Sequence, residues 1–112
     1  MATQTEKRLD VVSRLARDLG LGQYITNKDL VEALCKRYPE FRGHLNPIVA
    51  ADFSANSKSG YSSPKEGRKG KRSRDPILFK RAYNQYVKYD PALHGSWECH
   101  LINGKKKVIK TD

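Results

Sequence analysis

Lys65, Arg68, Lys69, Lys71, Arg72 and Arg74 place six cations within ten residues, interleaved with glycine and serine. The chemistry open to such a run is electrostatic. Each Lys or Arg that neutralises a phosphate releases condensed counterions, so a polyanion is bound with a strong salt dependence. Six such contacts would give a slope of log affinity against log salt of roughly −5. Runs of this kind also act as nuclear import signals, or serve only as a solvated linker. Lys58 precedes the run. A second cluster, Lys105, Lys106 and Lys107 with Lys110, lies beyond Asn103-Gly104. A lysine-tipped hairpin can straddle a phosphate backbone, and lysines equally guard strand edges against aggregation.

Side chains suited to catalysis are sparse. His44, His94 and His100 are scattered. Cys99 and His100 are adjacent, so on a strand they face opposite sides and are badly placed to share a metal. No Cys-x-x-Cys or His-x-x-x-His spacing occurs, which argues against structural zinc. Gly67 and Gly70 lie in a basic run without the strand-to-helix setting of a phosphate-binding loop. Asp10, Asp18, Asp29, Glu32 and Glu40 read as helix surface charges, and Asp52 stands apart from other acids. The expectation is a binding protein, not an enzyme, with no metal and no cofactor. Tyr83, Tyr86 and Tyr89, with Phe79 and Trp97, offer rings on which bases could stack. The spacing of Tyr83 and Tyr89 about a turn also suits packing, and the core is favoured for Phe79, Trp97 and most tyrosines.

The elements that must carry these groups read as follows. Leu9, Val12, Leu15, Ala16 and Leu19 recur at helical steps, predicting a helix over 5–19, with Thr5 or Thr3 as N-cap and Gly20 after its end. Tyr24 and Ile25 suit a short strand. Thr26-Asn27-Lys28-Asp29 is close to a capping box and opens a second helix, whose apolar set is Leu30, Val31, Leu34, Cys35 and Tyr38 and which Pro39 stops. Asn46-Pro47 pairs a favoured N-cap with a favoured first helical residue, predicting a third helix over about 47–55 with Leu45, Ile48, Val49 and Phe53 toward the core. Residues 57–75 hold seven positive and two negative charges, three glycines and five serines. Such a segment cannot bury enough apolar surface to offset its ordering entropy, so it reads as a flexible basic loop. Beyond it, 77–83 and 86–89 form one hairpin about Asn84-Gln85. Residues 97–102 and 107–109 form another about Asn103-Gly104, the strongest short hairpin signal.

Helix, short strand, Thr-capped helix, third helix and hairpin is an order that resembles the winged helix-turn-helix superfamily. Tyr24-Ile25-Thr26-Asn27-Lys28-Asp29-Leu30 resembles its strand-to-helix entry. Asp52-Phe53-Ser54-Ala55-Asn56, followed by Leu78-Phe79-Lys80-Arg81, is similar to small winged-helix domains beside bacterial restriction and nuclease modules. The resemblance spans roughly 7–90. The stretch between third helix and hairpin is longer here, and 91–112 has no counterpart. The resemblance implies that the third helix enters a major groove while the neighbouring helix and hairpin meet phosphates. Carried over by position, Asn46, Ala50, Ser54 and Asn56 would then face base edges, with asparagine suited to adenine and small residues to a thymine methyl.

The fold expectation is therefore α+β: a winged-helix-like three-helix bundle with C-terminal hairpins, in one domain over 1–112, with the 57–75 loop inserted. The 112 residues carry 22 Lys and Arg against 12 Asp and Glu, a net charge of +10, and the sequence pI of about 9.8 lies past the mark for nucleic-acid-binding domains. Duplex DNA held mainly through phosphates is the leading expectation. A protein-binding adaptor or inhibitor with an acidic partner, phage- or defence-associated, is one alternative; an RNA- or ribosome-associated protein is another. No membrane partner is expected, because no run nears the length of a span and Met1 to Asp10 lacks a signal-peptide core. The expected location is cytoplasmic, with the nucleoid or the nucleus as the site of action.

Overall fold

Helical periodicity in the first third of the chain produces two packed helices in the computed structural model, which describes residues 2–111 except Leu21, Ser63, Glu66, Gly67 and Ser73. Helix α1 spans Gln4–Arg17 and is capped by Thr3, whose side chain accepts from the Glu6 N–H. Helix α2 spans Asn27–Arg37. Its capping box is complete: the Thr26 hydroxyl accepts from the Asp29 N–H at 3.2 Å and the Asp29 carboxylate accepts from the Thr26 N–H at 2.8 Å. Two of the orphan donors at the helix start are thereby satisfied. Pro39 follows at once and opens a 3-10 turn, Pro39–Phe41.

Val11, Val12 and Ala16 of α1 meet Leu30 and Leu34 of α2 in one buried cluster that also takes in Ile25, Phe41, Ile48, Ala50, Phe53, Leu78 and Tyr86. Burial of each such side chain is worth about 1.5–3 kcal/mol. Strands β1, Leu78–Ala82, and β2, Gln85–Lys88, form an antiparallel hairpin. Its two-residue turn is Tyr83-Asn84, one position earlier than the sequence suggested, with Asn84 at φ 54°. Ile25 pairs antiparallel with Tyr86, so the short segment before α2 lies beside β2.

Residues 47–55 do not form the expected α-helix. Asn46 is left-handed (φ 52°) and exposed, Val49 is extended, and a 3-10 turn covers only Ala50–Phe53. The cause is competition for the backbone. Ile77 N–H donates to the Phe53 carbonyl and Ala55 N–H to the Leu78 carbonyl, so 53–55 runs parallel to the start of β1, and Ser54 N–H closes only the 3-10 turn on the Ala51 carbonyl. Tertiary pairing overrides the local helix signal. The Asn27 side chain accepts from the Ala50 N–H at 2.6 Å and fixes the start of that turn.

A third, four-residue helix α3, Pro91–His94, capped by Asp90, leads into the second antiparallel hairpin, β3 Trp97–Ile102 with β4 Lys105–Lys110. Its Asn103-Gly104 turn has φ values of 52° and 74°, the left-handed pair that Asn-Gly supplies readily. The molecule is thus α+β, with three helices and two small antiparallel hairpins. Among the described residues, no helix is long and apolar enough to cross a membrane.

Candidate nucleic-acid interface

Charge is unequally shared between the two halves of the chain. Residues 1–56 hold eight Lys and Arg against seven Asp and Glu, whereas 57–112 hold fourteen against five. The helical half is nearly neutral, and almost the whole excess belongs to the segment after Asn56 and the hairpins.

The segment 57–75, expected as a flexible loop, is held at several described points. Tyr61 is buried, and its hydroxyl donates to the Ala55 carbonyl. Tyr61 pairs with Arg72, and Gly70 pairs antiparallel with Cys99 of β3, donating its N–H to the Cys99 carbonyl at 2.8 Å. Ser62 and Lys71 exchange bonds: Ser62 N–H donates to the Lys71 carbonyl and Lys71 N–H to the Ser62 hydroxyl. Gly70 thus joins the free edge of β3, and the buried Tyr61 ring and the Ser62–Lys71 bonds hold the described residues around it. Gly70 is required there, because a Cβ at that position would lie 2.5 Å from the Ser62 carbonyl oxygen. The one hint of this anchor in the sequence is an aromatic residue, Tyr61, inside an otherwise polar stretch.

The two-residue period of the hairpin sorts its side chains. Glu98, His100 and Ile102 share a face with Ile109, Lys107 and Lys105, their direct partners. Lys69 reaches the Glu98 carboxylate at 3.0 Å, and His100 Nε2 lies 3.0 Å from its other oxygen. Lys69, then His100, hold the Glu98 carboxyl below the usual carboxylate range. Lys65, Arg68 and Lys69 line a depression with His100 and Leu101, and Arg68 through Arg72 line a neighbouring one with Trp97 and Glu98. Lys65, Arg68, Lys71, Lys105 and Lys107 are exposed and have no acidic partner among the described residues. Among the described residues, Glu98 is the acid beside these cations, and Lys69 and His100 already occupy it.

Other expected contact residues have structural duties. Arg72 donates to the Trp97 carbonyl at 2.9 Å and covers the Tyr61 ring, yet it remains exposed. Arg74 lies over the Phe53 ring at 4.7 Å and donates to the Asp52 carbonyl, away from the second hairpin. Lys106 is on the opposite hairpin face and donates to the Tyr61 carbonyl at 2.8 Å. Lys58 is exposed and flanks the buried Tyr61 anchor.

The base-reading set does not assemble. Ala50 is fully buried, and Ser54 is 2 % exposed with its hydroxyl donating to the Ala50 carbonyl. Asn56 is half-buried and grips β1 at both ends of its amide, accepting from Lys80 N–H at 2.9 Å and donating to the Lys80 carbonyl at 2.8 Å. Asn56 thereby extends the pairing of 53–55 with β1 by one side-chain step, and only Asn46 of the four is exposed. The helix that would have presented them is replaced by a 3-10 turn and a short pairing with β1.

Of the aromatic residues, Tyr61 and Tyr86 are buried, and burial pushes both phenols up. Phe79 stacks on His94 at 4.2 Å and adjoins Trp97, whose Nε1 donates to the His94 carbonyl. Tyr24 and Tyr83 instead face solvent, at 46 % and 90 % exposure. Among the described residues, no group of three or more His, Cys, Asp or Glu is arranged to hold a metal ion. Cys99 is buried, which raises its thiol pKa, and Cys35 is half-buried; both are free thiols. Comparison of the chain with family models, curated proteins and solved structures finds no match.

Proposed function

We propose that this chain is a nucleic-acid-binding protein that holds duplex DNA by its phosphates, without catalysing a reaction. The observation that carries the reading is the set of exposed cations beside the second hairpin: Lys65, Arg68 and Lys71 line depressions against β3, Lys105 and Lys107 lie on β4, and none has an acidic partner among the described residues. Unpaired like charges held together repel one another, and a polyanion relieves that repulsion while shedding its counterions. The Gly70–Cys99 main-chain bond and the Ser62–Lys71 pair hold the neighbouring cations near β3, which lowers the ordering entropy lost on docking.

A winged-helix-like arrangement is part of the proposal. Its support is the order of α1, the Ile25 segment, α2 and the β1–β2 hairpin, with Ile25 paired to Tyr86. Base readout by residues 47–56 is not part of it, since Ala50 and Ser54 are buried and 53–56 bonds to β1 and the residue before it. Contacts are phosphate-dominated, and sequence preference is weak.

A labelled duplex titrated by anisotropy over a range of salt tests the reading. Five phosphate contacts give a slope of log affinity against log salt of about −4 to −5. Absence of binding at low salt, or an affinity indifferent to salt, overturns it.

A further inference from the structure

The turn of the first hairpin carries a feature that phosphate binding does not use. Tyr83 sits at the tip between β1 and β2 and is 90 % exposed, the largest exposure of any aromatic ring described. Burial of an aromatic ring is among the larger apolar gains available to a fold, and the tip leaves this one in water. The ring is nevertheless held in a defined setting. Lys80 Nζ lies 5.9 Å from its centroid. The adjacent Asn84 is left-handed, and its side-chain oxygen accepts from Asn27 N–H at 3.0 Å, which ties the turn to the start of α2. The ladder shifts register between Lys80 and Ala82, a bulge that re-aims the side chains beside it. Arg81, at the bulge, donates to the Gly22 carbonyl and to Gln85, and covers the half-exposed Tyr24 ring at 5.2 Å. Two exposed rings, each with its own cation, therefore flank one short turn.

We propose that this turn is a stacking site for an unpaired nucleobase, with Tyr83 as the platform and Lys80, beside its ring, placed for a phosphate next to that base. The occupant follows from the chemistry. A flat apolar face suits any base, because every base has a π-face. The adjacent cation favours a ligand that carries an anionic group beside a flat ring. The inference rests on the nucleic-acid reading above and extends it: the protein prefers duplexes that present a single-stranded overhang to blunt ones.

The test uses the full chain and two labelled DNAs, a blunt duplex and the same duplex with an overhang containing a fluorescent adenine analogue. The wild-type chain quenches the analogue and binds the overhang DNA more tightly. Tyr83→Ala loses the quenching and binds the overhang DNA about tenfold more weakly, the order expected for loss of one stacked base. The same variant binds the blunt duplex as the wild type does, and Tyr83→Trp keeps the quenching. Because the ring is almost wholly exposed, melting temperature stays unchanged, which separates lost stacking from lost fold. Equal binding and equal fluorescence for wild type and Tyr83→Ala on the overhang DNA overturn the proposal, even while salt-dependent binding to the blunt duplex persists. Failure of the wild type to bind either DNA overturns the nucleic-acid reading itself, and this site with it.

Discussion

Asp10 shows how much one side chain can organise. Its carboxylate accepts from Arg14 Nε at 2.8 Å, from Arg37 Nε at 2.7 Å and from the Tyr38 hydroxyl at 2.7 Å. It therefore links α1 to the end of α2. Arg14 first, then Tyr38 and Arg37, hold its carboxyl well below the ordinary range. A carboxyl whose pKa falls on folding contributes stability above its unfolded value and loses that contribution as the pH drops toward the folded value. The contribution is complete near neutral pH and fades below about pH 4. Asp10→Asn therefore melts below the wild type near neutral pH, and the gap narrows as the pH falls below that value. A gap that stays constant through acid would show that shape, not charge, holds the junction. None of this was visible in the sequence, where Asp10 reads as one more helix surface charge. The i,i+4 spacing gives its pairing with Arg14, but Arg37 and Tyr38 lie at the other end of a second helix.

At the scale of elements, legibility followed the range of the forces. Thr26 and Asp29 form their capping box because both partners lie within one helical turn, and Asn103-Gly104 makes its hairpin for the same local reason. The stretch 47–55 had equally good local signals in Asn46 and Pro47, yet it forms only a 3-10 turn at Ala50–Phe53 and then pairs with the start of β1. The backbone groups of Phe53 and Ala55 find partners on residues 77 and 78, and no window of local sequence contains both sides of that pairing. The 57–75 segment differs from its expectation for the same reason. Its composition forbids a core of its own, but edge pairing with β3 needs only main chain and a glycine at the point of closest approach. Gly70→Ala tests that account. A Cβ 2.5 Å from the Ser62 oxygen forces the strand to shift, so the variant is expected to lose about 1–3 kcal/mol in urea unfolding, the usual cost of overpacking. Hydrogen exchange at the Gly70 amide position should rise with it. An unchanged stability would mean that the segment is not pressed against its neighbour.

Across the whole molecule, the apolar core and the excess charge lie in different parts of the chain. The buried apolar cluster lies mainly in the helical half, with Leu78 and Tyr86 contributed by the first hairpin. The excess charge lies after Asn56. Mutating the exposed cations beside β3 should therefore alter binding with little effect on folding. Lys65→Ser, Arg68→Ser and Lys71→Ser combined remove three exposed cations and no side chain of the core. The salt slope should become shallower by about 3, with affinity lost evenly over different duplex sequences and the melting temperature nearly kept. An unchanged slope would assign these residues to solubility alone. What the sequence determined by itself was the α+β content, the two capped helices, the Asn-Gly hairpin and the sign of the field, because each depends on residues within a few positions or on composition. What only the tertiary structure decided was which cations lie beside β3, that the expected third helix is a 3-10 turn followed by pairing with β1, and that Tyr83 projects into solvent. Those outcomes depend on which distant backbone groups pair, and main-chain donors and acceptors are the same at every residue, so side-chain identity does not announce the choice.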